Sequence, residues 1–118
     1  MQPDTAAVTK RFNDAFQRHD PTPIADLVAD DCVLEKTSPA PDGARFEGRE
    51  ACVAFWQQIA ADRSVSFELE DTIITGERAI VLWRLRFGAD GESSVRGVNL
   101  THVRDGKIVE SLGYVKGS

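Results

Sequence analysis

The 118-residue chain has the length of one domain with a single buried core. Its 42% hydrophobic and 28% charged residues are ordinary for a soluble globular protein. A net charge of -5 and a pI near 5.0 argue against nucleic acid and anionic membrane as partners, because both are held by clustered positive charge.

In chain order, Asp4 or Thr5 can cap a first helix that runs to about His19, with Val8, Phe12, Ala15 and Phe16 on one stripe. Asp20-Pro21 ends it. Thr22 caps a short second helix with Pro23 at its first position and Ile24, Leu27 and Val28 as its apolar face. Cys32 to Lys36 reads as a strand. Thr37 to Phe46 holds prolines and a glycine and reads as loop. Glu47-Gly48-Arg49-Glu50 opens a third helix, with Cys52, Phe55, Trp56 and Ile59 on one face.

From Val65 the apolar period changes to two. Val65 to Ile74 and Arg78 to Phe87 read as strands, separated by Thr75-Gly76-Glu77. Gly88 to Gly91 turns into a closing hairpin over Ser93 to Ser118, with Asp105-Gly106 at its tip. A two-residue turn there puts Val103 and Ile108 on one face. A three-residue loop, Arg104-Asp105-Gly106, with a left-handed Gly106 bulge shifts the second arm by one residue. It then places Val109, Ser111, Gly113 and Val115 with Asn99 and Thr101. Helices followed by strands, without an internal repeat, indicate an α+β domain spanning residues 1–118.

Several role classes find no support. The longest apolar runs, such as residues 79–83, are too short to span a membrane. No basic segment with a following apolar core opens the sequence, so no signal peptide is expected and the compartment reads as cytoplasmic. Cys32 and Cys52 lie in no CxxC and near no histidine, and read as two buried thiols. There is no glycine-rich phosphate loop, no Ser-His-Asp order and no cofactor or metal fingerprint. His19 reads as a helix C-terminal cap, and His102 alternates with Thr101.

The segments ADDCVLE (29–35), FEGREA (46–51) and the closing GVNLTHVRDGKIVESLGYVKG (97–117) resemble the SnoaL-like branch of the nuclear transport factor two-like superfamily. That superfamily includes ketosteroid isomerase and limonene-epoxide hydrolase. The resemblance covers nearly the whole chain. It implies a cone: a strongly bent antiparallel sheet wrapped around three N-terminal helices, with an internal apolar pocket. It also favours the bulged form of the last turn.

The strand 78–87 has two faces, and composition alone puts Trp83, Leu85 and Phe87 in the core with Arg84 and Arg86 in water. The resemblance implies the reverse, with Leu82, Arg84 and Arg86 lining the pocket. Trp83, Leu85, Phe87, Val98, Leu100 and Leu112 then form an outer patch covered by a second copy, giving a homodimer. We take the reversed arrangement as the expectation.

The isomerase constellation, an aspartate base with a tyrosine and a protonated aspartate, does not carry over. Its positions match Lys36, Phe12 and Asn99. The hydrolase arginine matches Arg84, but its two aspartates match Arg86 and Gly113. The resemblance therefore implies a pocket of apolar walls (Phe12, Phe16, Leu34, Phe55, Leu82, Val115) with polar Arg84, Arg86, Asn99, Thr101 and Ser111. Glu35 and Lys36 are adjacent on a strand, so a regular strand turns only one of them inward, and the two matches favour different ones. Two functions follow as expectations. One is a cofactor-independent isomerase, cyclase or lyase, polyketide-cyclase-like, on a small hydrophobic carbonyl compound. Arg84 and Asn99 would hold an enolate there, and Glu35 or Lys36 would move the proton. The other is a non-catalytic ligand-binding or assembly module.

Overall fold

The computed structural model describes residues 4–39 and 41–116. Two α-helices and a 3₁₀ helix pack on a six-stranded open, curled sheet. In chain order they are α1 (Thr5–Gln17), the 3₁₀ helix (Thr22–Leu27), β1 (Val28–Glu35), β2 (Arg45–Glu47), α2 (Arg49–Ala61), β3 (Ser66–Thr75), β4 (Arg78–Phe87), β5 (Ser93–Arg104) and β6 (Lys107–Val115). The strand order is β2-β1-β6-β5-β4-β3. β1 runs parallel to β6, and the other neighbours are antiparallel. The sequence expectation missed β2 and started β1 four residues late.

Local chemistry sets the ends of the helices. Asp4 caps α1 by accepting from the Ala7 N–H at 2.8 Å. At the other end His19 adopts φ 54°, and Asp20 N–H donates to the Ala15 carbonyl at 2.9 Å, closing a Schellman-type turn. His19 is thus the cap its position suggested. Its Nδ1 also lies 3.1 Å from the Ala60 carbonyl, which joins the ends of the two α-helices. The main core is shared by both helices and β1, around Val8, Phe12, Ile24, Leu27, Cys32, Leu34, Cys52 and Trp56.

The last hairpin combines both readings of its turn. The turn has two residues, Asp105 and Gly106, at φ 55° and 76°, so Arg104 pairs Lys107 and Val103 pairs Ile108. The register then shifts between His102 and Val103, so that Thr101 faces Ser111 and Asn99 faces Gly113. The expected parity of Ser111 and Gly113 is therefore correct, but its cause is an irregularity past the turn and not a three-residue loop.

The faces of β4 correct the reversed arrangement. Ala79, Val81 and Trp83 are buried and pack with Phe67, Leu85 and Val95. By register they share the inner face with Thr101, Asn99 and Gly97. Leu82, Arg84 and Arg86 lie on the outer face. Arg86 pairs with Glu68, while Arg84 bonds Ser94 Oγ at 2.8 Å and lies 3.8 Å from Glu70. The physical reason is desolvation: two guanidinium groups facing an apolar interior would need anions there, and the carboxylates of β3 offer them on the other side. Trp83 and Leu85, and by parity Phe87, accordingly leave the expected outer patch, while Val98, Leu100 and Leu112 remain in it.

Gly97 makes this inner face possible. A Cβ built there would lie 2.5 Å from Trp83 Cζ2 and Cη2 and 2.6 Å from the Tyr114 carbonyl oxygen. Overpacking of this kind costs roughly 1–3 kcal/mol. Gly97→Ala is expected to lower stability by about that amount in urea denaturation, at unchanged m-value. An equally stable variant would show that the ring and strand can yield.

Candidate functional site

Between the inner sheet face and the two α-helices lies a cavity of about 350 Å³. Phe12, Asn13, Phe16 and Gln17 reach it from α1, and Phe55, Trp56 and Ile59 from α2. The sheet contributes Leu34, Phe67, Leu69, Val81, Trp83, Leu85, Asn99, Ser111 and Gly113. Lys36 and Thr37 follow β1, while Asp62 and Val65 follow α2. The aromatic rings interlock edge to face: Phe12 on Trp56 at 4.9 Å, Phe16 on Phe67 at 5.8 Å and Phe67 on Trp83 at 5.6 Å between centroids.

The question of Glu35 against Lys36 has a geometric answer. Leu34 pairs with Ser111 on the inner face, so alternation turns Glu35 outward and Lys36 inward. The Glu35 carboxylate accepts from Arg45 at 2.9 Å, on a side chain that also holds Glu47. Glu35 still borders the cavity, and its carbonyl lies beside Gly113. Lys36 takes part in no ion pair among the described residues, and its Nζ sits 5.3 Å from the centroid of Phe55. The backbone of Lys36 is fixed by its N–H donating to Ala44 O at 2.9 Å. Its carbonyl is packed so closely on Gly43 that a Cβ there would be 1.9 Å away.

Asn99 and Thr37 converge on Gly113. A Cβ on Gly113 would lie 3.2 Å from Asn99 Oδ1 and from Thr37 Cγ2. Ser111 Oγ is 3.4 Å from Thr101 Oγ1. Of the residues expected in the pocket, Phe12, Phe16, Leu34, Glu35, Lys36, Phe55, Asn99 and Ser111 border the cavity. Thr101 is buried beneath it against Ala79. Val115 has the inner parity but is 40% exposed at the strand end, outside the lining. Leu82, Arg84 and Arg86 are on the far face. Trp83, Phe67, Val81 and Leu85 were missed, although the buried alternation of β4 signalled three of them.

A family model described as a SnoaL-like domain matches residues 9–111. The chain belongs to the SnoaL-like family. An NTF2-like protein of unknown function from Mesorhizobium loti is 55% identical, with a TM-score of 0.90 over 96% of this chain and 91% of that one. A Kribbella flavida protein named only provisionally as a ketosteroid isomerase is 20% identical, at TM-score 0.80 over 97% and 78% of the two chains. A loop-truncation variant of IdmH is 24% identical, at TM-score 0.75 over 95% and 92%. These last two share the fold. Among curated proteins there is no match.

Within this SnoaL-like cavity the ionisable groups are few. Asp62 is exposed at its rim, and hydrogen bonds from Ser64 hold its carboxyl below the usual carboxylate range. Among the described residues no three His, Cys, Asp or Glu side chains are grouped to hold a metal ion, and no helix is long and apolar enough to cross a membrane. Cys32 and Cys52 lie in the main core, where burial pushes both thiols up. At pH 8 both are expected to resist a disulfide exchange reagent in the native protein and to react fully in urea. Fast labelling of either thiol without denaturant would contradict that packing.

Proposed function

We propose that this protein binds a small, mostly apolar carbonyl compound in the cavity and moves a proton on it without a cofactor, as an isomerase, cyclase or lyase does. The reading takes the curled sheet as a cone around the three helical segments, with its pocket inside. One observation carries it: Lys36 and Asn99 face a mostly aromatic and aliphatic cavity whose volume of about 350 Å³ suits a small organic ligand.

The step follows from the side chains. Unprotonated Lys36 takes a proton from the carbon beside the carbonyl, and the C–H electron pair moves into an enolate. The Asn99 amide N–H donates to the enolate oxygen, where charge develops. The Lys36 ammonium then returns the proton to that carbon or to another along a conjugated chain. Arg84, expected to share the enolate, faces the other side of the sheet. The carboxylates that border the cavity are engaged elsewhere, Glu35 by Arg45 and Asp62 by Ser64. That lack of a free acid favours a second reading, a non-catalytic module that holds the same class of ligand. Two free, buried thiols suit a reducing compartment such as the cytoplasm.

The two readings separate in deuterium oxide. With 4-ethylacetophenone as probe, the protein is expected to speed deuterium entry into the acetyl methyl group. Lys36→Met should cut that acceleration by about 100-fold. A ketone that binds but exchanges no faster than in buffer leaves the non-catalytic module as the function.

For the outer face we propose a second copy of the chain as its cover. Ile73, Ile80, Leu100 and Leu112 form one apolar row across four strands, with Leu82, Val98 and Tyr114 beside it. Charges on this face pair with each other, Glu68 with Arg86 and Glu70 with Arg96 and Arg84. A surface that balances its own charge suits an isologous two-fold contact. Leu82→Glu with Leu100→Glu is expected to sediment as a folded monomer, while the unaltered chain sediments as a dimer. A double variant that remains dimeric places the interface elsewhere.

A further inference from the structure

Among the described residues Lys36 is the only cation that borders the cavity, and it pairs with no carboxylate there. Its backbone is turned to the loop that follows β1: the N–H bonds Ala44 and the carbonyl packs on Gly43. The part that reaches the cavity is therefore the side chain, whose Nζ sits 5.3 Å from the centroid of Phe55, itself a wall residue. A ring face attracts an ammonium but offers its N–H groups no oxygen. By contrast Lys10 holds Asp14, Lys107 the Asp26 carbonyl, and Arg45 both Glu35 and Glu47.

The surroundings leave room for an anion. Glu35 is held outward by Arg45, and Asp62 is exposed at the rim. Asp62 stands seven residues after Phe55, about 10 Å further along α2. Neither neutralises Lys36. Gly113 follows Leu112, the partner of Glu35, so it lies beside Lys36 on β6, and Asn99 faces it from β5. Two steps of about 4.8 Å put the backbones of Lys36 and Asn99 about 10 Å apart, with no side chain on Gly113 to separate them. A ligand oxygen between the two meets an amide N–H from one and a charge from the other. Lys36 is itself half-buried, so the pair it forms keeps part of its hydration and escapes the full desolvation cost of a buried salt bridge.

We propose that the cavity is also a site for small, mostly apolar monocarboxylic acids, with the carboxylate held by the Lys36 ammonium beside Asn99. The inference rests on the cavity being the ligand site, as proposed above. It adds a ligand class and ties that class to one charge state. Proton removal needs the neutral amine, and the acid needs the charged one. A carboxylate beside an ammonium carries the same charges as the enolate and ammonium that follow proton removal. Acids of this class therefore compete with the ketone.

Three probes of nearly one shape test it: the anion 4-ethylbenzoate, and the neutral 4-ethylbenzamide and 4-ethylacetophenone. In the unaltered protein at pH 7 and low salt, the acid is expected to bind about tenfold tighter than the amide and to displace the ketone, read from the ring resonances of Phe55 and Trp56. Lys36→Met keeps most of the side-chain length and removes the charge. It is expected to weaken the acid by roughly 10- to 100-fold, the worth of one hydrogen bond between charged groups, and to leave the amide within about threefold. The comparison in the unaltered protein does not depend on the variant folding. An acid that binds no tighter than the amide overturns the proposal, and so does an equal loss of both in Lys36→Met. So does an acid that binds without perturbing the cavity resonances, which places it on surface arginines. In each of these cases the carbonyl reading stands if the ketone moves the same resonances. An acid that moves them where the ketone does not upholds the acid site and removes the carbonyl reading. If none of the three probes perturbs them, the ligand reading fails and this inference fails with it.

Discussion

The inner face of the sheet depends on one contact, the Trp83 ring lying where a side chain at position 97 would otherwise be. A large ring on a central strand needs a vacant neighbour on the next strand, and Gly97 supplies it at the pairing position. With the ring laid toward β5, the floor of the cavity stays low enough for Phe16, Phe67 and Leu69 to form walls around it. Gly113 repeats the device on β6, where Asn99 and Thr37 lean into the space above it. Two missing side chains thus define where a ligand has room.

The faces themselves are set by two irregularities in strand pairing. Between Leu69 and Asp71 the register of β3 shifts, so that Leu69 faces inward beside Trp83 while Ile73 joins the outer apolar row. Glu70, the residue left over, sends its carboxylate to Arg96. The second shift, between His102 and Val103, lets Ile108 fill the core under the helices while Ser111 and Gly113 reach the cavity. A regular ladder would put one of those two groups on the wrong side.

The elements were legible because their signals are local. Asp4 reads as a cap, Asp105-Gly106 as a turn, and residues 78–87 as a strand, and each rests on chemistry within a few residues. The outward turn of Arg84 and Arg86 was harder, because it depends on partners ten or more residues away. The clue was nevertheless present: β3 carries Glu68 and Glu70 in the alternation that suits Arg86, Arg84 and Arg96. Resemblance to a fold family fixed the architecture but misassigned a face, since relatives can share a strand and differ in which side chains fill it. The shift within β3 had no local marker of the glycine kind, and Thr37 was hidden in a loop whose path depends on Gly43 meeting the Lys36 carbonyl.

The balance of donors and acceptors gives the cavity its chemical character. Lys36, when charged, can only donate, and Asn99 can donate through its amide. The carboxylates nearest the cavity are already bonded, Glu35 to Arg45 on the outside and Asp62 to Ser64 at the rim. An amine or ammonium ligand would therefore find few free acceptors. An electron-rich oxygen, above all one that gains charge on losing a neighbouring proton, finds these donors and apolar walls that strengthen each of those hydrogen bonds. The same apolar walls penalise any charge that is not met by a donor, so a charge developing on a ligand oxygen is favoured only beside Lys36 and Asn99.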